Sequence, residues 1–218
     1  MVNTKQSPKR VVILISGRGS NMQAIVKMAS QRDDLEIVAV ISHKADSAGC
    51  AWAAEQGVAT AELLPKAFSS RESYDEALLA LVDGYQPDYV ILAGFMRILT
   101  APFVEYFQHR ILNIHPSLLP SFTGLDTHER ALQEGVKAHG CTVHFVTPIL
   151  DVGPIVAQAV VPVLADDDAD SLAARVLTME HKIYPAVVDY LARDIVSLDK
   201  QNRVVFSEDV QTLFVYQA

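Results

Sequence analysis

These 218 residues lack a disulfide framework, a metal-binding cysteine pattern, a membrane span and a basic stripe. Cysteine is limited to Cys50 and Cys141, far apart and with no CxxC pair. That excludes a cross-linked secreted scaffold and a zinc ribbon, and each thiol reads as a buried structural one. No apolar stretch approaches the ~20 residues that cross a bilayer. After the basic start MVNTKQSPKR, the apolar run at residues 11–15 is too short for a signal-peptide core, so the expected location is the cytoplasm. Positive charge is also scarce: the net charge is −8 and Lys and Arg are scattered. A nucleic-acid partner would demand a positive footprint to neutralise phosphates. There is no repeat, low-complexity tract or linker, which leaves one expected domain over 1–218, with a core at about 10–193 and a C-terminal extension at about 194–218. Half of the residues (50%) are hydrophobic and 20% are charged, enough apolar material for an α/β domain that acts on small molecules.

The run RVVILIS (10–16) is short and β-branched and stops at a glycine pair, as a buried parallel strand does. A helix is expected over 21–30, with Met22, Ile25, Val26 and Met28 as its apolar stripe. LEIVAVI (35–41), YVILA (89–93) and residues 111–114 read as further buried strands. Helices are expected over 48–56 (stopped by Gly57), 72–82 and 127–134 (closed by Gly135). Two β runs, 142–146 and 155–163, flank a turn at 151–154. A long helix spans about 169–192, where Pro185 is expected to kink or split it, and 204–206 adds a strand. Strands alternating with helices predict an α/β fold: a mainly parallel sheet with helices on both faces and an antiparallel edge from 142–163.

SGRGSN (16–21) lies between the first strand and the first helix. Met22 stands where GxGxxG needs its third glycine, and no GK[ST] follows, which disfavours a dinucleotide or ATP loop. Two readings remain. One is a plain turn with Ser20 or Asn21 as N-cap. The other is a monophosphate cradle, because a helix start offers N–H groups and the positive end of a dipole.

NIHPSLLP (113–120) follows the fourth strand. Asn113 and His115 share one side of it, since side chains alternate with period two. The C-terminal end of a parallel strand is where α/β sheets bind ligands. The two prolines stiffen the exit, so an amide and an imidazole are presented to one reacting atom. His43, His109, His139, His144 and His181 read as structural or surface residues, with His144 in a run that flanks the site. Asp151, in LDVGP (150–154), is either a turn former before Gly-Pro or a partner of His115. A carboxylate beside an imidazole favours the charged ring.

Seven segments in order, SGRGSN, VILAGFMRIL (90–99), ILNIHPSLLP (111–120), THERAL, HGCTVHFVT (139–147), LDVGP and MEHKIYP (179–185), resemble the phosphoribosylglycinamide formyltransferase family. The resemblance implies a Rossmann-like formyltransferase fold. It also implies transfer of the formyl group of 10-formyltetrahydrofolate to the amine of 5-phosphoribosylglycinamide, in de novo purine synthesis, without a metal. Its implied catalytic residues are Asn113, His115 and Asp151. Gly19, Ser20, Asn21 and Glu180 are implied to bind the phosphorylated amine. Arg71, Met96, Arg97, Ile98, Leu99, Asn113, Thr147, Pro148, Ile149, Leu150 and Asp151 are implied to contact the folate. Without the resemblance, Met96, Ile98 and Leu99 read as core, and Arg71 and Glu180 as solvated helix charges. The chain departs from the family pattern in two places. TGLDTH (123–128) stands where Pro-Gly-Leu-His-Thr-His is usual, and DVGP where Asp-Gly-Gly-Pro is usual.

The rivals are a methionyl-tRNA formyltransferase, which needs a further tRNA-binding domain; a formyltetrahydrofolate deformylase, which has no use for a phosphate cradle; and a non-catalytic binder on the same scaffold. The expected partners are small molecules only, with no nucleic acid or membrane, for a monomer or homodimer.

Overall fold

The computed structural model describes residues 7–217, so the expected domain span of 1–218 begins and ends outside the described residues. The chain divides into two compact units, Met1–Phe103 and Val104–Ala218.

In the first unit β1 (Lys9–Ile15), β2 (Leu35–Ser42), β3 (Thr60–Glu62) and β4 (Tyr89–Leu92) form a parallel array in the order β4-β1-β2-β3. Val11 to Ile15 are all buried, which explains why β1 reads as an unbroken β-branched run. The helices are α1 (Ser20–Ala29), α2 (Ala48–Glu55) and α3 (Arg71–Gly84). Buried Met22, Ile25, Val26 and Ala29 form the inner stripe of α1, whereas Met28, expected in that stripe, is half-buried. Ser70 starts α3 with a capping box: its hydroxyl accepts the Ser73 N–H and the Ser73 hydroxyl accepts the Ser70 N–H.

α4 (Ala101–Tyr106) spans the division. In the second unit β5 (Ile111–His115), β6 (Ala138–Phe145) and β7 (Ile155–Pro162) pair antiparallel in that order, which is the expected antiparallel addition. α5 (Thr127–Gln133) precedes β6, and α6 (Ala169–Ala192) follows β7. β8 (Val196–Leu198) and β9 (Val204–Phe206) form a separate hairpin, and β10 (Leu213–Val215) pairs parallel with β7. The fold is thus the expected mainly parallel α/β class, with β10 adding a parallel strand beyond the antiparallel pair.

Pro185 does not split α6, which is one 24-residue helix. An interior proline costs about 3 kcal/mol. Ile183, Tyr184, Val187 and Val188 around it are fully buried, and the Tyr184 hydroxyl donates to the Leu112 carbonyl at 3.1 Å. Burial on that scale offsets the lost hydrogen bond. Both cysteines are free and buried, and burial pushes both thiols up.

Candidate active site

Asn113 and His115 occupy alternate positions of β5, and the antiparallel register sets His144 of β6 opposite Asn113 and Thr142 opposite His115. His144 Nδ1 lies 3.0 Å from the Phe145 carbonyl, which can only accept, so the proton sits on Nδ1. Nε2 is therefore the acceptor for the Asn113 amide Nδ2 at 3.2 Å. That bond orients the amide and uses one of its two N–H groups. Burial, ahead of every other influence, holds the His144 pKa below its ordinary 6.5, which keeps this acceptor neutral.

His115 is fixed by the same logic. Its Nε2 donates to the Phe122 carbonyl at 2.9 Å, which leaves Nδ1 outside that bond. Asp151 Oδ2 faces that nitrogen at 3.6 Å, with only 7% of the His115 side chain and 5% of the Asp151 side chain exposed. The same carboxylate oxygen accepts the Gly124 N–H at 2.8 Å. Asp151 is therefore more than a turn former, and it meets His115 as a partner.

The exit from β5 is held by side chains that the sequence reading passed over. Thr142 donates its hydroxyl to the Ser117 carbonyl at 2.7 Å and accepts the Leu119 N–H and Gln158 Nε2, both at 3.0 Å. Gln158 also donates to the Leu119 carbonyl at 2.9 Å. Together they hold the backbone of the turn that the two prolines begin. Nearby, burial lowers His128 and pushes His139 down to about 4, and the two rings meet at 3.2 Å.

In the first unit the glycine loop corrects one expectation. Neither Ser20 nor Asn21 is the N-cap; Gly19 is, in the left-handed region at φ 65 where glycine is favoured, and α1 begins at Ser20. The Gly17 carbonyl accepts the Gly49 N–H and the Ser47 hydroxyl, both at 3.0 Å, which anchors the loop to the start of α2. Ser16 Oγ accepts the Met96 N–H at 2.6 Å and meets His43 Nε2 at 2.6 Å. His43, expected to be a bystander, thus braces Ser16. Its pKa lies below the ordinary value because of burial, then because of Arg97 and Lys44.

Arg71 donates to the Leu99 carbonyl at 3.0 Å, and the Thr100 N–H donates to Asp75 at 2.6 Å. The Arg97 guanidinium lies 4.4 Å from the Tyr74 ring centroid, and burial pushes the Tyr74 hydroxyl up to about 12. Leu99 is buried, while Met96 and Ile98 are exposed and so are not core. Ile149 and Leu150 of the second unit are likewise exposed, and Thr147 closes a turn on the Ile149 carbonyl at 3.1 Å, around Pro148. Glu180 is buried in α6 rather than a solvated surface charge. Among the described residues, no group of three or more His, Cys, Asp or Glu is placed to hold a metal ion.

Residues 9–188 match the family model described as formyl transferase. The chain belongs to that family. It is 51% identical over 183 residues to phosphoribosylglycinamide formyltransferase of Escherichia coli (strain K12), covering 84% of this chain and 86% of the relative. It is 43% identical over 196 residues to the trifunctional purine biosynthetic protein adenosine-3 of Bos taurus; that covers 89% of this chain but only 19% of the bovine protein. The solved glycinamide ribonucleotide transformylase 1 of Symbiobacterium toebii superposes with a TM-score of 0.90 at 41% identity, over 95% of this chain and 98% of that one.

The two departures from the pattern that the resemblance implies have local explanations. In DVGP the positive φ of 55 falls on Asp151, and Val152 points into solvent, so a β-branched residue is tolerated there. Gly153 is the constrained position: a Cβ on it would lie 1.7 Å from the Phe145 carbonyl oxygen, which receives the His144 proton. Asp126 is exposed, with φ 55, at the N-cap of α5, and its side chain caps no N–H.

Proposed function

We propose that this chain transfers the formyl group of 10-formyltetrahydrofolate to the amine of 5-phosphoribosylglycinamide. It acts in the cytoplasm as a monomer or homodimer, on small molecules and without a metal. The observation that carries the reading is the convergence of Asn113, His115 and Asp151, with both ring nitrogens of His115 assigned by their neighbours.

The folate supplies an electrophilic formyl carbon, held on this reading by Arg71, Met96, Arg97, Ile98, Leu99, Asn113 and residues 147–151. Gly19, Ser20 and Asn21 hold the phosphate, where the first turn of α1 directs N–H groups. Glu180 holds the glycinamide end. Attack by the amine develops negative charge on the formyl oxygen. The second N–H of Asn113 is the donor for it, a contribution of about 3–4 kcal/mol. Collapse of the tetrahedral species breaks the bond from the formyl carbon to the folate nitrogen. His115 passes the proton that the attacking amine loses to that departing nitrogen through Nδ1, because its Nε2 is committed to Phe122. Asp151 holds that edge of the ring from 3.6 Å, a gap that leaves Nδ1 free to exchange its proton.

The test is release of tetrahydrofolate when the purified protein meets both substrates. Turnover that is absent, or that proceeds equally without the amine, rules the transfer out. His115→Ala and Asp151→Asn are expected to lose at least about a hundredfold in kcat while keeping near-normal affinity for the phosphorylated amine. Wild-type rates in both would remove these residues from the reaction.

A further inference from the structure

His115 and Asp151 are both held by backbone groups of one short loop, residues 122–126. The Phe122 carbonyl accepts from His115 Nε2 at 2.9 Å, and the Gly124 N–H donates to Asp151 Oδ2 at 2.8 Å. The loop contains no regular secondary structure. Three of its five residues have positive φ: Phe122 at 54, Gly124 at 80 and Asp126 at 55. For a non-glycine residue that conformation costs about 1–3 kcal/mol and persists only where the surroundings enforce it. A loop of this kind needs an external brace to hold two side chains in register.

Arg130 is that brace. From α5 its Nη1 donates to the Thr123 carbonyl at 2.6 Å and the Leu125 carbonyl at 3.3 Å, and its guanidinium lies over the Phe122 ring, 5.6 Å from the centroid. One side chain thus touches three of the five loop residues, on either side of both groups that hold His115 and Asp151. The planar guanidinium spans two carbonyls and a ring face at once, whereas an ammonium on a flexible stem can satisfy only part of this set. The Thr127 hydroxyl ties the start of α5 to the Pro116 carbonyl at 2.6 Å, so Arg130 acts from an anchored helix.

We infer that Arg130 is a positioning residue for the formyl transfer: it clamps the 122–126 loop so that His115 and Asp151 keep their geometry. The inference rests on the assignment of those two residues to the reaction. A displacement of about 1 Å from a residue remote from the chemistry can cost about a hundredfold in rate. Arg130→Ala is therefore expected to lower kcat by about tenfold to a hundredfold. KM for the phosphorylated amine should change by less than about twofold, because the clamp acts on the reacting groups rather than on binding.

The experiment measures kcat, KM for each substrate and the thermal midpoint for Arg130→Ala, Arg130→Lys and His115→Ala. It also records the nitrogen NMR signal of the His115 ring. Arg130→Lys keeps the charge and most of the volume, so it reports on the clamp even if the alanine variant fails to fold. Its kcat should fall with little change in midpoint, and the protonated Nε2 signal of His115 should weaken or shift. Added guanidinium at low millimolar concentration should restore part of the alanine variant's rate. Wild-type kcat and an unchanged ring signal in Arg130→Lys, with His115→Ala crippled, would overturn the clamp and leave the trio standing. A wild-type rate in His115→Ala would instead remove the trio, and the clamp with it.

Discussion

At the scale of single residues, the site depends on histidines whose tautomers are set by carbonyls. Because His144 Nδ1 donates to Phe145, its Nε2 can only accept, and that acceptor decides which way the Asn113 amide points. His144→Ala frees the amide to turn its oxygen toward a developing negative charge. We expect kcat to fall by about tenfold to a hundredfold with both KM values nearly unchanged, as steady-state kinetics would show. His144→Gln keeps a side-chain oxygen as acceptor and should recover part of that loss. Gly153→Ala probes the same point from behind. A methyl 1.7 Å from the Phe145 oxygen must push the strand end away, which should cost about 1–3 kcal/mol in urea unfolding and lower kcat as well. Stability equal to wild type would mean that the 151–154 turn has room the geometry denies. Asn113 and His115 are legible in the sequence because their types and spacing carry chemistry. Phe122 and Gly124 are not, because they act through a carbonyl and an N–H that every residue of those types possesses.

Among the elements, most of those that sequence pattern identifies are buried along most of their length. β1, β2 and β4 are buried along most of their length and leave continuous apolar runs. β3, β8 and β10 have three residues each and are partly exposed, too short for periodicity to register, whereas the equally short and open β9 is expected from its β-branched run at 204–206. The contact between Asp151 and His115 joins positions 36 residues apart in sequence, and no local pattern records it. The turn leaving β5 shows what pattern reading adds and what it misses. Its prolines are visible, yet the network that secures it comes from Thr142 on β6 and Gln158 on β7, which face each other across the strand pair. Thr142→Val is nearly isosteric but strips the Ser117 carbonyl and the Leu119 N–H of a buried partner. Leaving such groups unsatisfied costs about 1–3 kcal/mol each. Chemical denaturation should therefore show a loss of about 2–6 kcal/mol, and kcat should fall because the turn follows directly from His115. An unchanged midpoint would mean that Gln158 alone holds the turn.

For the molecule as a whole, the chain holds buried and half-buried histidines neutral, and this sets how it meets acid. His43 in the first unit and His128, His139 and His144 in the second all have pKa values below their ordinary 6.5, with burial the leading cause in each and His139 pushed down to about 4. The unfolded chain binds protons at these sites near pH 6.5, while the folded chain resists until the lowered values are reached. Unfolding therefore takes up protons in that window, and stability rises with pH across it. The contribution is complete above about pH 6.5 and is lost as pH falls toward and through the lowered values. Each such histidine adds a slope of up to about 1.4 kcal/mol per pH unit while its folded and unfolded forms differ by a full proton. Carboxylates act further down. Asp167 is held below the usual carboxylate range, first by its hydrogen bonds from Arg175, and the protection it supplies disappears only as pH drops beneath about 4. Urea unfolding measured from pH 8 to pH 4 should thus show stability level near pH 7 to 8 and falling from about 6.5 toward 4. Three of the four histidines belong to 104–218, so a probe in that unit should report the larger loss. His139→Gln cannot take up the proton and should flatten the curve most between about 6.5 and 4. If stability held constant from pH 7 to 5, or if that variant matched the wild-type slope, buried neutral histidines would not be the source of the acid response.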